Sequence, residues 1–287
     1  MSAGAARRVF VEAGGLRLSA VVDEPAAAPA RDGTRPSLLL LHGFTGSAES
    51  MAEIAGRLAG FARVARLELV GHGESEAPTA LAPYAMEACA RQIAEAARAL
   101  DFVRPHLLGY SMGGRAALAA ALAQPAAFDR LVLVGATAGI ADPAARAARI
   151  AADEALAQSI EQGGLERFVD DWMAQPLFAS QIRLGADALA HARRQRLANR
   201  PHGLANSLRG MGAGAMPPLH DRLAAFEHPV LLVVGDEDAK FQAIARDLAA
   251  RLPDARIETI AAAGHAAHLE APDRVAEVVR DFLGGAA

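Results

Sequence analysis

The 287-residue sequence contains one cysteine, Cys89, one tryptophan, Trp172, and, among 29 basic residues, one lysine, Lys240. A lone cysteine cannot close an internal disulfide. That excludes a small secreted scaffold held by disulfides and makes the cytoplasm the expected location. The shortage of lysine points to a compositional bias, so an arginine needs support from its position before function is read into it. Charge of neither sign dominates, with 33 acidic residues against 29 basic ones and a net charge of -4. Without a basic surplus, nucleic acid and anionic membrane surfaces are not expected partners. The most apolar run, residues 116–123, is far shorter than the roughly 20 residues a membrane helix needs. Residues 1–10 lack the charged-then-apolar order of a signal peptide. What remains is 52% hydrophobic and 22% charged, with no polar low-complexity tract, so the chain is globular and has enough apolar material for a full core.

Residues 9–22 read as two short strands around the hairpin pair Gly14-Gly15. After them the pattern alternates: strand 37–41, helix 49–58, strand 62–69, helix 84–100, strand 106–110, helix 112–123 and strand 131–134. Strand 230–234, helix 242–252, strand 256–260 and helix 274–283 repeat the alternation near the end. Such a βαβα order predicts an α/β fold with a mostly parallel central sheet and helices on both faces. Residues 140–224 differ, with helical periodicity throughout and punctuation by glycine and proline. They predict a helical cap inserted between two parts of one core, 1–139 and 225–287. Cys89 shares an apolar helix face with Met86 and Ile93, which predicts a buried, inert thiol.

Gly109-Tyr110-Ser111-Met112-Gly113, at a strand-to-helix join, fits G-x-S-x-G. A sharp turn there exposes the serine hydroxyl at the carboxyl edge of the sheet, beside a helix N-terminus that favours negative charge. A serine nucleophile or base needs a histidine, and the histidine needs an acid. Asp238, in Gly235-Asp236-Glu237-Asp238, and His265, in Ala263-Gly264-His265, each follow a strand, in the order serine, acid, histidine. Asp236 is the competing acid, with capping of the turn as its other role. His268 could pair with His265 on a metal, but no ligand cluster accompanies it, and a place lining the pocket or behind it fits better. Leu41-His42-Gly43-Phe44-Thr45-Gly46 lets backbone N–H groups approach a developing oxyanion, and the expected donors are those of Phe44 and Met112. His42 is expected to shape that loop. Gly71-His72-Gly73-Glu74-Ser75 adds a further loop on the edge where ligands of open α/β sheets bind.

From about residue 37 to 283 the chain resembles the α/β-hydrolase superfamily. More narrowly, it resembles the 2-succinyl-6-hydroxy-2,4-cyclohexadiene-1-carboxylate (SHCHC) synthases of menaquinone biosynthesis. The narrower likeness rests on Trp172-Met173-Ala174-Gln175-Pro176-Leu177-Phe178-Ala179-Ser180, on Asp238-Ala239-Lys240-Phe241 and on Gly264-His265-Ala266-Ala267-His268. Glu68-Leu69-Val70 departs from it, since that family usually has Asp-Leu-Pro there. The resemblance implies a lyase: Ser111, activated by His265 and Asp238, removes a proton from a cyclohexene tricarboxylate, pyruvate leaves, and no metal or cofactor takes part. It further implies that Arg115, Arg149 and Arg196 bind the substrate carboxylates, while Tyr110 and Trp172 line the pocket. Arg115 has positional support, standing one helical turn beyond Ser111. Planar guanidinium groups suit carboxylates because they offer two parallel hydrogen bonds. Arg146 and Arg149 share a helix face, so one is expected to bind and the other to be solvated.

A serine carboxylesterase or carbon–carbon bond hydrolase would use the same triad. Arginines converging on one pocket would speak against a neutral ester substrate. A non-catalytic receptor has no need of an intact triad, and a dehalogenase or epoxide hydrolase would need a carboxylate at Ser111.

Overall fold

The computed structural model describes residues 6–23 and 35–284. The first five residues and the last three, which the readings of the N-terminus and of the outer segments 1–139 and 225–287 included, lie outside the described residues. Strands β1 (Ala6–Ala13) and β2 (Leu16–Asp23) form an antiparallel hairpin in which Ala13 pairs with Leu16. The two residues between them, Gly14 and Gly15, both have positive φ, at 62° and 71°, as a two-residue turn with the strands' own twist demands. Next come β3 (Ser37–Leu41), β4 (Arg63–Leu67), β5 (His106–Tyr110), β6 (Leu131–Val134), β7 (Val230–Gly235) and β8 (Ala255–Ile260). The sheet order is β1-β2-β4-β3-β5-β6-β7-β8. β1, β2 and β4 pair antiparallel, and every later pair is parallel.

The central strands are apolar without interruption because both faces are covered. Alternate residues of one strand go to opposite cores. Leu39, Leu41, Leu107, Leu131 and Leu133 pack with α2 (Met86–Ala99) and α3 (Met112–Ala123). Leu38, Leu40, Leu108, Val132 and Val134 pack with α1 (Ala52–Leu58) and with the helix Pro272–Gly284 near the end of the chain. Cys89 lies in the first of these cores with Met86 and Ile93, and burial pushes its thiol up to about 12, which leaves it inert.

Several element boundaries move for local reasons. The helix expected from residue 49 opens as the 3-10 turn Glu49–Met51, and the strand expected over 62–69 is confined to Arg63–Leu67. The helix expected from residue 84 begins at Met86, because the proline-containing turn Ala82–Tyr84 precedes it. The helix expected from residue 242 begins three residues earlier, since the Asp238 carboxylate accepts from the Phe241 N–H at 3.2 Å and caps it.

Between β6 and β7 lie four α-helices and no strand: α4 (Pro143–Gly163), α5 (Leu165–Met173), α6 (Ala186–Leu197) and α7 (Pro201–Met211). They carry their own apolar cluster of Ala157, Ile160, Phe168, Val169, Leu204, Ala205 and Leu208. Arg209 clamps α7 to α4 through Glu154 at 2.8 Å and Glu161 at 2.7 Å. The remaining helices are α8 (Ala239–Arg251), the short α9 (Ala267–Glu270), which sequence periodicity does not reveal, and α10 (Pro272–Gly284). Among the described residues no helix is long and apolar enough to cross a membrane.

Besides His265, three buried histidines line the carboxyl edge of this sheet. His42 donates from Nδ1 to the Gly43 carbonyl at 2.8 Å and accepts the Leu69 N–H at Nε2 at 3.1 Å, so it is a neutral imidazole fixing two loops. Desolvation lowers its pKa, against an opposing pull from Glu68. Desolvation also lowers His72 well below the usual value, assisted by His42 and Arg200, and lowers His268 to about 3, assisted by His265. Each folded-state value lies below the unfolded one, so the unfolded chain binds more protons and acid favours unfolding. Urea titrations at pH 7, 6 and 5 should therefore show stability falling as pH falls, by up to about 1.4 kcal/mol per pH unit for each such histidine. His268→Gln should flatten the profile, and a wild-type profile level between pH 7 and 5 would contradict this account.

Candidate active site

Ser111 stands between β5 and α3 with φ 50° and ψ -107°, a left-handed conformation that strains a residue with a Cβ. The turn is held by crowding. A Cβ on Gly109 would strike the Gly113 backbone, and one on Gly113 would strike the Leu41 and His42 carbonyls at the end of β3. The Ser111 N–H donates to the Val134 carbonyl at 2.9 Å, which ties the turn to β6. These contacts account for small residues two before and two after the serine.

Three strand ends bring the candidate triad together. Ser111 Oγ lies 3.1 Å from His265 Nε2, and Asp238 Oδ2 lies 2.9 Å from His265 Nδ1. Asp238 follows β7 and His265 follows β8. The Asp238 carboxylate has two tasks, since Oδ2 faces the histidine while Oδ1 caps α8. The competing acid, Asp236, turns away and accepts from the Ala263 N–H at 3.2 Å. Aromatic rings hold the imidazole in place, with Phe241 at 4.3 Å and Tyr110 at 5.3 Å between ring centroids. Burial raises the Tyr110 hydroxyl's pKa well above its ordinary value, so the ring stays neutral beside the histidine.

Phe44 and Met112 line the same cavity as Ser111 and His265, and among the described residues neither backbone N–H has a hydrogen-bond acceptor. Two free donors beside the serine are the arrangement that steadies negative charge developing on a bound carbonyl. Glu68, where the resembling family has aspartate, is buried and organises the adjoining loop. Its carboxylate accepts from Ala48 N–H at 3.1 Å, Glu74 N–H at 2.8 Å and Arg8 at 2.9 Å. The longer side chain thus supports the loop without entering the site.

The cavity has a volume of about 650 Å³ and lies between the sheet edge and the helices that follow β6. Trp172 lines it within an aromatic group, 5.2 Å from Phe44 and 5.7 Å from Phe178. Arg115 and Arg149 line it too. Arg115 donates to the Met211 carbonyl at 2.8 Å, and its buried Nε has no partner in the protein. Desolvation, reinforced by Arg149 and partly offset by Asp153, lowers its pKa to about 10. Arg149 pairs through Nε with the buried Asp153 at 2.8 Å, which holds it over the cavity with its side chain 40% exposed.

The structure brings Arg115 and Arg149 together but does not bring Arg196 to the same cavity. Arg196 lies across the Phe44 and Tyr110 wall in a separate chamber of about 30 Å³ with Thr45, Gln181 and His268. The end of α6 presses against the far side of that wall, and Arg196 turns back to the Ala192 carbonyl of its own helix at 3.0 Å. Arg146 is not solvated as expected but donates to the Gly214 carbonyl at 2.8 Å. His268 fills the same small chamber, its ring 4.3 Å from Tyr110, and both ring nitrogens lack protein partners. Among the described residues no group of three or more His, Cys, Asp or Glu side chains is arranged to hold a metal ion.

Sequence reading left Asp153, Phe241 and Glu270 without a role. Glu270 accepts from the Gly264 N–H at 2.9 Å and the Ala266 N–H at 3.3 Å, and so fastens the histidine loop from α9. The i,i+4 spacing of Arg149 and Asp153 was a readable signal. The contacts of Phe241 and Glu270 depend on how the strands end, which local pattern does not carry.

The α/β-hydrolase fold family matches residues 36–272. A putative SHCHC synthase of Bacillus subtilis (strain 168) is 40% identical over 250 residues, covering 86% of this chain and 90% of that protein. The SHCHC synthase of Serratia proteamaculans is 32% identical, covering 87% and 93%. The solved structure of MenH from S. aureus superposes with a TM-score of 0.84 at 30% identity, over 92% of this chain and 97% of that one. With strand order, elbow and relatives in agreement over most of its length, the chain belongs to the α/β-hydrolase fold family and, within it, to the group of the SHCHC synthases.

Proposed function

We propose that the protein is a carbon–oxygen lyase that eliminates pyruvate from 2-succinyl-5-enolpyruvyl-6-hydroxy-3-cyclohexene-1-carboxylate to give SHCHC, a step of menaquinone biosynthesis. One observation supports this reading most: the Ser111–His265–Asp238 chain of contacts opens into the same cavity as two arginines, one of them with a buried, unpaired Nε. A guanidinium N–H buried without an acceptor, on a cation whose charge Asp153 only partly offsets, favours a bound anion. A neutral ester offers no such anion, whereas a tricarboxylate does.

In this mechanism His265 takes the Ser111 proton, with Asp238 orienting the ring and stabilising its charge. Ser111 then removes a proton next to the succinyl carbonyl, and the Phe44 and Met112 N–H groups hold the resulting oxyanion. Collapse of the enolate expels enolpyruvate as the carbon–oxygen bond breaks, and protonation of the enol gives pyruvate. No acyl-enzyme forms. Arg115 and Arg149 bind carboxylates, Tyr110 and Trp172 wall the ring, and the reaction calls for no cofactor. Residues 140–224 act as a cap over the core segments 1–139 and 225–287, and a cytoplasmic location completes the reading.

The decisive experiment follows pyruvate release from freshly made substrate in a coupled assay, with p-nitrophenyl acetate and butyrate hydrolysis run alongside. Fast pyruvate release with feeble ester turnover is expected. Brisk ester hydrolysis without acceleration of pyruvate release would identify a serine hydrolase instead. Ser111→Ala should lower kcat by about a thousandfold or more while substrate still quenches Trp172 fluorescence; a near-normal rate would remove the serine from the base role. Arg149→Gln should raise KM about tenfold with little change in kcat, a hydrogen bond to a charged group being reduced by partial exposure. An unchanged KM would show that Arg149 does not meet the substrate.

A further inference from the structure

The cavity holds a third cation that neither the triad nor the arginines explain. Lys240, the one lysine in a chain whose other basic residues are all arginine, is exposed at its α8 side and lines it there. It is the second residue of α8, where the helix dipole disfavours positive charge, so the stability of the helix gives no reason for it. Among the described residues no carboxylate pairs with it. Asp247, which lines the same cavity from α8, is occupied by Arg251 at 3.1 Å. What does hold the ammonium is an aromatic face: Lys240 Nζ lies 5.7 Å from the centroid of the Phe241 ring. That ring in turn lies 4.3 Å from the ring of His265, so Phe241 alone stands between the lysine and the histidine as their shared neighbour.

We propose that Lys240 is a substrate-binding residue that takes one carboxylate of a multiply anionic substrate at the α8 side of the cavity and sets selectivity for such substrates. The proposal rests on the reading of the site as one for a polycarboxylate. Arg115 and Arg149 alone leave the cavity short of positive charge, because Asp153 offsets Arg149 and Arg196 faces the other chamber. A lysine suits this edge. Its ammonium is a mobile point charge on a long stem, able to follow a flexible carboxylate arm that a planar guanidinium would hold in one orientation.

Trp172, the one tryptophan, lines the cavity and reports occupancy by its fluorescence. Titration of wild type, Lys240→Met and Lys240→Arg with tricarballylate, a plain tricarboxylate, measures the contribution of the charge. Lys240→Met should weaken binding about five- to tenfold and Lys240→Arg should recover most of the loss. In the pyruvate assay the same loss should appear in KM rather than in kcat. Binding by Lys240→Met equal to wild type, or a loss that Lys240→Arg does not restore, overturns the proposal, as does a fall confined to kcat. If wild type releases no pyruvate yet Lys240→Met loses tricarballylate binding and Lys240→Arg regains it, the lyase reading fails and the role of Lys240 stands. If wild type is an active lyase and Lys240→Met matches it in KM, the reverse holds.

Discussion

Everything at the site depends on the close approach of the Ser111 turn to the end of β3. A non-glycine residue held at positive φ is strained by about 1–3 kcal/mol, and such a conformation persists only where its surroundings leave no alternative. Here the surroundings are the Leu41 and His42 carbonyls against Gly113, and the Gly113 backbone against Gly109. Relaxing the turn would require β3 and β5 to part, and they are hydrogen-bonded neighbours buried on both faces. The strain is thus carried by the centre of the core. In return the serine hydroxyl is presented at the sheet edge with the free N–H of Met112 beside it.

A second constraint fixes the acid and base. Asp238 caps α8 with one oxygen and meets His265 with the other, so the orientation of the carboxylate is tied to the start of a helix. Glu270 fastens the loop before and after His265, and Phe241 lies against its ring. The helices between β6 and β7 approach from the opposite side. Ser180, in the segment after α5, packs against Gly264, where any side chain would collide with it. The segment that carries the narrow family resemblance, residues 172–180, therefore joins the aromatic wall to the histidine loop.

Positive charge in the cavity is arranged by position rather than by abundance. The chain is rich in arginine, yet several arginines serve structure: Arg66 bonds Asp23, Arg209 ties α7 to α4, and Arg146 holds a backbone carbonyl. The basic side chains that line the main cavity are Arg115, Arg149 and Lys240. They surround the reacting serine from α3, α4 and α8, three elements far apart in sequence.

The sequence by itself determined the α/β alternation, most strands of the sheet, the helical insertion and the positions of Ser111, Asp238 and His265. These are local signals: apolar runs mark buried strands, and glycine-flanked polar residues after them mark turns at one edge. Boundaries moved where a proline turn or a capping carboxylate acted over three or four residues, as before Met86 and at Asp238. Tertiary structure decided what local pattern cannot hold. The wall of Phe44 and Tyr110 separates Arg196 from Arg115 and Arg149, although the family resemblance assigns all three to one site. Glu68 replaces an aspartate without disturbing the site because its carboxylate finds three donors from distant segments. Which charged groups share one cavity depends on where helices come to rest against the sheet, and that is settled by packing over long sequence separations.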